Sequence, residues 1–244
     1  MKWRFIYRGL KAKYRFDVQE IKALVENLSP DDLAIDVGAN KGSYLWSLSR
    51  AVPNGQVYAF EPQPIFSEYL KKICLNANLQ NVTVEACGVS DAAGILKLAV
   101  PGSDPTSPAA SFENAVMNRG PHHTYEVSVV RLDDYFQNET RHIGAIKIDV
   151  EGHELAVLRG ALLLIQKNKP VIVCESENQH ITSGRVEDVI QFILNLGYEG
   201  WFVHQGKLKE IKEFDSKKHQ VQDIPNFTMH PDYCNNFVFK PISD

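Results

Sequence analysis

Between Lys147 and Glu154 the chain places one lysine, three carboxylates and a histidine (Lys147, Asp149, Glu151, His153, Glu154) within eight residues. They lie at the end of an apolar run formed by Ala145, Ile146 and Ile148. Such a set can take a proton from a substrate near neutral pH, and its histidine is the side chain most ready to do so. A second apolar run, Val171 to Cys174, also ends in a carboxylate, Glu175. Any one of these acids could instead cap the helix that follows it.

A different chemistry is written at Leu33 to Gly42. Leu33, Ile35 and Val37 form a short apolar strand, and Gly38 and Gly42 bracket a turn before a helical pattern over Ser43 to Arg50. A glycine turn between strand and helix lets a ligand approach the backbone, and the free N–H groups at the helix start add hydrogen-bond donors. Glu61 follows the next strand, Gln56 to Phe60. There a carboxylate suits the cis-diol of a ribose. The glycine spacing lacks the third glycine of a dinucleotide fingerprint.

These residues need elements to hold them at one edge. The pattern after the first strand gives helix, strand (Gln56 to Phe60), helix (Phe66 to Asn76) and strand (Val82 to Ala86). This β-α-β-α-β order calls for a parallel sheet with right-handed crossovers. Further strands are expected at Gly94 to Val100, Glu126 to Val130, Ala145 to Ile148, Val171 to Cys174, Gly200 to His204 and Asn236 to Lys240. Helices are expected at Asp17 to Asn27, Leu132 to Phe136, Leu155 to Ile165 and Val186 to Leu196. Residues 101–125 and 207–232 read as irregular insertions, the first a lid or substrate-facing loop. His122 and His123 fall inside the first and read as solvated loop residues.

Composition sets the class. With 244 residues, 44% hydrophobic and 23% charged, the chain suits one soluble globular domain with elaborations. A net charge of -4 supplies no basic field for nucleic acid, and no apolar run is long enough to span a membrane. Cys74, Cys87, Cys174 and Cys234 have no metal or disulfide spacing and read as free thiols in a reducing cytoplasm. Residues 1–30 read as an N-terminal basic and aromatic segment with a helix, ahead of the main domain, 31–244. Its first sixteen residues carry Lys2, Arg4, Arg8, Lys11, Lys13 and Arg15 among Trp3, Phe5, Tyr7, Tyr14 and Phe16. Aromatic packing against the domain is the favoured expectation, and a basic interfacial segment is the alternative.

Taken together, Ile35 to Gly42, Phe60-Glu61-Pro62, Val89-Ser90-Asp91 and Ile146 to Glu154 resemble the FkbM family of S-adenosylmethionine-dependent methyltransferases. The likeness runs from Asp32 to Glu175, with a similar late strand at Asn236. It implies an α/β, class I (Rossmann-like) fold. The sheet would be seven-stranded and mostly parallel with an antiparallel last strand, helices covering both faces and the cofactor across its carboxyl edge. It further implies that Gly38, Ala39, Asn40 and Gly42 approach the methionine part of S-adenosylmethionine, which leaves as S-adenosylhomocysteine. Glu61, beside Pro62, would take the ribose diol. Ser90 and Asp91 would lie near adenine, and Asp36 would hold the turn or the amino group, with Asp149 at the same site. The implied reaction is O-methylation of a sugar, glycan or natural-product hydroxyl. His153 and Asp149 are then the candidate bases, with Glu175 and Glu151 behind them. A divalent ion on Asp149, Glu175 and a third acid is the alternative and is not expected. A nicotinamide-dependent oxidoreductase and a non-catalytic binding protein are the rival readings. The acceptor and the oligomeric state are left open.

Overall fold

The computed structural model describes residues 1–118, 120–222, 228 and 230–242. Helix α1 (Lys2–Lys11) runs through a five-residue π-helical turn, Ala12–Phe16, into α2 (Val18–Glu26). Then come β1 (Leu33–Val37), α3 (Leu45–Ala51), β2 (Gln56–Phe60), α4 (Pro64–Ala77) and β3 (Val82–Glu85). A smaller unit follows, with β4 (Gly88–Val89), β5 (Gly94–Pro101), α5 (Asn114–Met117), β6 (His122–Val130) and α6 (Leu132–Tyr135). The chain returns through β7 (Ile143–Ile148), α7 (Glu154–Gly160), α8 (Leu162–Asn168), β8 (Val171–Glu175) and α9 (Val186–Leu194). It finishes with β9 (Tyr198–His204), β10 (Lys207–Glu210), α10 (Ser216–His219) and β11 (Asn236–Pro241).

The main sheet has eight strands in the order β10-β9-β11-β8-β7-β1-β2-β3. From β8 to β3 all neighbours are parallel, and β11 is antiparallel to both β8 and β9. The expected seven strands therefore gain one, because Lys207–Glu210 folds back on β9 as a hairpin edge. Gln205 and Gly206 make the turn with positive φ at both residues, as a two-residue hairpin needs. The strand at Gly94 is outside this sheet. β5 pairs antiparallel with β6, and β6 pairs parallel with β4, in a separate three-stranded sheet.

Period-two alternation sends Leu33, Ile35 and Val37 into one core and Ala34, Val57 and Ala59 into the other, so the sheet is covered on both faces. The expected helix from Leu155 to Ile165 is two helices. It breaks at Ala161, where Gly160 packs on the Ser90 carbonyl and the Asp133 carboxylate accepts the Leu163 and Leu164 N–H groups.

The expectation for residues 1–16 holds for Phe5 alone among the aromatics. Phe5 is buried against α3 and α4, while Trp3, Tyr7, Tyr14 and Phe16 face solvent. The remaining rings cannot reach the core because the helix offers it a single narrow face, formed by Phe5, Gly9 and Ala12. His122 and His123 are exposed residues of β6 rather than of a loop, bonded to the carbonyls of Gly120 and Ser103. Among the described residues no helix is long and apolar enough to cross a membrane. All four cysteines are buried and free.

Candidate active site

The carboxyl ends of β1, β2, β7 and β8 meet at one edge, and two clefts open there side by side. The first, about 40 Å³, is lined by Gly38, Asn40, Phe60, Glu61, Pro62, Gln63, Val89, Leu98, Phe112 and Asp149 among others. The second, about 290 Å³, is lined by Arg8, Asp17, Ala39, Lys41, Tyr44, Lys147, Asp149 and Glu175 among others. Gly38, Asn40, Pro108, Asp149 and Glu151 belong to both walls.

At the floor, Asp36 and Lys147 are register partners on β1 and β7. Lys147 Nζ stands 3.2 Å from Asp36 Oδ1 and 3.3 Å from Asp149 Oδ2, and donates to the Gly38 carbonyl at 2.8 Å. Burial works against the lysine's charge, but Asp36 and Asp149 outweigh it and raise the Lys147 pKa. Burial also raises the Asp36 pKa against the lowering effect of Lys147. Asp36 is 1% exposed and lines neither cleft, so its carboxylate fixes the turn through Lys147. Gly38 has φ of 77°, and a Cβ there would stand 1.8 Å from the Asp149 carbonyl oxygen. Only glycine fits this crossing of β1 and β7.

Glu61 closes the first cleft. Its two oxygens accept the Asn40 N–H at 2.6 Å and the Gln63 N–H at 2.8 Å, and each keeps a further lone pair. Burial pushes its pKa up to about 7, against those two N–H bonds. Phe60, Pro62, Val89, Leu98 and Phe112 supply apolar walls. A nucleoside fits this lining, its ribose diol donating to ionised Glu61 and its base lying against the flat apolar walls. The cleft as it stands is far below the roughly 300 Å³ at which ligand pockets begin. Its roof is the segment 102–113, tied down by Gln63 Nε2 to the Pro105 carbonyl and Asn40 Nδ2 to the Pro108 carbonyl at 3.4 Å.

Several expected site residues stand elsewhere. Gly42 (φ 75°) lines neither cleft, and a Cβ there would press on Leu70, Phe5 and Leu45, so its role is to seat α1. Ser90 is buried behind the Gly88–Val89 wall, with its hydroxyl 2.9 Å from His153 Nε2 and 3.3 Å from Asp91 Oδ1. His153 lines neither cleft and has both ring nitrogens engaged, Nε2 by Ser90 and Nδ1 by Glu113 Oε1 at 2.9 Å. It stitches the roof segment to the sheet edge, with Phe112 packed edge-on against its ring. Glu175, by contrast, does line the second cleft: it is half-buried, accepts from Asn235 at 2.7 Å, and has its pKa raised by burial and by Asp149, Glu151 and Glu177. Among the described residues no three His, Cys, Asp or Glu side chains converge on a metal position.

Arg8, Asp17 and Tyr44 were not anticipated as cleft residues. Asp17 has its pKa raised to about 6 by burial, partly offset by Lys147. Arg8 donates to the Lys41 carbonyl at 2.9 Å. Arg8 stands in the basic segment the sequence had already marked, but nothing in its pattern connects it to β7.

The strand order, the carboxyl-edge clefts and the glycine turn define a class I, Rossmann-like methyltransferase fold. A profile for the Methyltransferase FkbM domain matches residues 36–199, and the chain belongs to that family of methyltransferases. It is 30% identical over 183 residues to methyltransferase sdnD of Sordaria araneosa, covering 64% of this chain and 68% of that one. It is 29% identical over 156 residues to the hexuronic acid methyltransferase AglP of Haloferax volcanii, covering 63% and 59%. It is 30% identical over 160 residues to the 31-O-demethyl-FK506 methyltransferase FkbM of Streptomyces tacrolimicus, covering 54% and 60%. The matches to the last two span about three-fifths of those proteins' length.

Among solved structures, the FkbM methyltransferase of Methylobacillus flagellatus superposes with a TM-score of 0.53 at 19% identity, over 87% of this chain and 44% of that one. An rRNA methylase of Streptococcus thermophilus gives 0.51 at 13% identity, over 92% and 95%. Both show the fold alone. A nicotinamide-dependent oxidoreductase is not the family found.

Proposed function

We propose that this methyltransferase acts on a hydroxyl oxygen of a sugar, glycan or hydroxylated natural product, with Asp149 as the general base. The observation that carries this reading is the shared wall: Asp149 borders both clefts, where a nucleoside on one side and an acceptor on the other would meet. S-adenosylmethionine, when bound, supplies the methyl group as a sulfonium. Glu61 holds the ribose diol, Phe60, Pro62, Val89, Leu98 and Phe112 enclose the base, and Gly38 and Asn40 border the methionine end.

Transfer to oxygen needs the acceptor aligned and its proton removed. Asp149 is 30% exposed toward the clefts, and the Lys147 ammonium fixes one of its oxygens. The other oxygen can receive the hydroxyl proton. Glu175 and Glu151 are the neighbouring acids, Glu151 being held by His180 Nδ1 at 2.6 Å. His153 serves as a positioning residue for the roof. The second cleft mixes cationic Arg8 and Lys41 with acidic Asp17 and Glu175, a lining suited to a hydroxyl-rich acceptor. Two relatives act on a hexuronic acid and on 31-O-demethyl-FK506, which supports an oxygen-bearing acceptor. The net charge of -4 favours a small or glycan acceptor over nucleic acid, although an rRNA methylase shares the fold.

The test is Asp149→Asn assayed over a panel of glycans and hydroxylated metabolites by mass shift. A loss of roughly 10²- to 10⁴-fold in kcat is expected, with S-adenosylhomocysteine affinity retained. A near-normal kcat would move the proton to Glu175 or His153.

A further inference from the structure

We propose that α1 and the π-helical turn after it dock the protein on an anionic lipid bilayer surface. Trp3, Tyr7, Leu10 and Tyr14 recur at three- and four-residue spacing, and so form one row on the helix. Phe5, Gly9 and Ala12 form the row that meets the protein. At about 100° per residue the two rows lie on opposite sides, so the aromatic row points directly away from the body of the molecule. Its exposure is large: 77% for Trp3, 65% for Tyr7, 40% for Leu10 and 70% for Tyr14.

Lys2 and Lys13 flank this row on one side, and Arg4, Lys11 and Arg15 on the other. Among the described residues none of the five makes an ion pair. Lys11 and Arg15 lie over the Phe16 ring and Lys13 over the Tyr14 ring. Residues 1–16 hold six cations and no acid, whereas the rest of the chain carries thirty acids against twenty cations.

Amphipathic aromatic rings prefer the headgroup level of a bilayer, and lysine and arginine beside them are drawn to anionic headgroups. Cations border the aromatic row on both flanks with no acid among residues 1–16, the distribution of a helix lying in an anionic headgroup layer rather than of one paired with a single acidic groove. A flat lipid surface is the occupant it fits. Arg8, on the flank of the same helix, turns inward to the Lys41 carbonyl and lines the second cleft. Docking through α1 therefore brings the rim of that cleft close to the lipid surface. This inference stands on the helix alone and not on the choice of acceptor.

The experiment is cosedimentation of the full chain with phosphatidylcholine vesicles and with phosphatidylcholine/phosphatidylglycerol vesicles, at low and high salt. Partitioning at least about tenfold stronger to the anionic vesicles, weakened by salt, is expected. The double variant Trp3→Ser/Tyr7→Ser and the charge variant Lys2→Gln/Arg4→Gln/Lys13→Gln should each lose that binding. Lys2, Trp3, Arg4 and Tyr7 are exposed and Lys13 is half-buried, and unchanged S-adenosylhomocysteine binding by calorimetry would report that both variants are folded. Equal partitioning to both vesicle types, or charge variants that bind as wild type, would overturn the proposal. So would a concentration-dependent dimer in light scattering that Trp3→Ser/Tyr7→Ser abolishes while anionic vesicles leave the wild type unbound, for the row would then cover a second copy.

Discussion

Asp36 on β1 and Lys147 on β7 are paired across adjacent parallel strands at 3.2 Å, and Lys147 also holds the carbonyl of Gly38, which borders both clefts. Asp36 takes no hydrogen bond among the described residues, so the ammonium is its main compensation. Removing that ammonium leaves a buried carboxylate that must be carried unpaired or protonated.

Lys147→Met should therefore lose about 3 to 5 kcal/mol of stability, read as a lower denaturant midpoint at unchanged slope. Asp36→Asn/Lys147→Met should recover much of it, since both charges are then gone. A single variant as stable as wild type would mean that Asp36 is already neutral.

Cofactor affinity should depend on pH through Glu61. Its pKa is raised to about 7, and the diol is best held by the ionised form. S-adenosylhomocysteine binding by calorimetry should strengthen as pH rises toward 7 and level off above it. Glu61→Gln should give a flat and weaker profile. The same slope in both proteins would take Glu61 out of the ribose contact.

Stability has its own pH term at Glu154, a fully buried acid at the start of α7. It accepts the Gly152 N–H at 2.8 Å and the Ser176 hydroxyl at 3.0 Å. Burial raises its pKa from 4.5 to about 7, so between these values the folded state binds more protons than the unfolded one. Stability from this group is thus full below pH 4.5 and is lost as pH rises to about 7. Glu154→Gln should remove that decline and be the more stable protein at pH 8, by about 1 to 3 kcal/mol. Melting curves at pH 5 and 8 provide the comparison; parallel losses in the two proteins would contradict it.

The roof predicts a split in the kinetics. His153→Ala breaks the link from Glu113 to Ser90, so segment 102–113 should be held less firmly over the first cleft. KM for S-adenosylmethionine should rise while kcat falls less than about tenfold, because the ring touches neither cleft. Hydrogen exchange of 102–113 should quicken in the variant and slow in wild type on adding S-adenosylhomocysteine. A kcat loss of 10² or more with KM unchanged would return His153 to the role of base.

The sequence by itself determined the parallel core, because short apolar runs ending in glycine or carboxylate, with helical periods between them, permit little else. It also determined that Gly38, Glu61 and Asp149 share one edge, since each closes a strand of that core and parallel strands end together. It could not show that β10 turns back on β9 or that β5 leaves the main sheet, because pairing joins segments whose local patterns carry no address for each other. It marked His153 as readily as Asp149, because residue type states what a side chain can do and not what it touches. Only the tertiary structure separated their surroundings, by bringing Glu113 and Ser90 onto the two ring nitrogens of His153 and leaving Asp149 at the wall between the clefts, and the proposal of Asp149 as base rests on that difference. It likewise decided the fate of the aromatic N-terminus. The core accepts one face of α1, so Phe5 is buried and the opposite row is left in solvent.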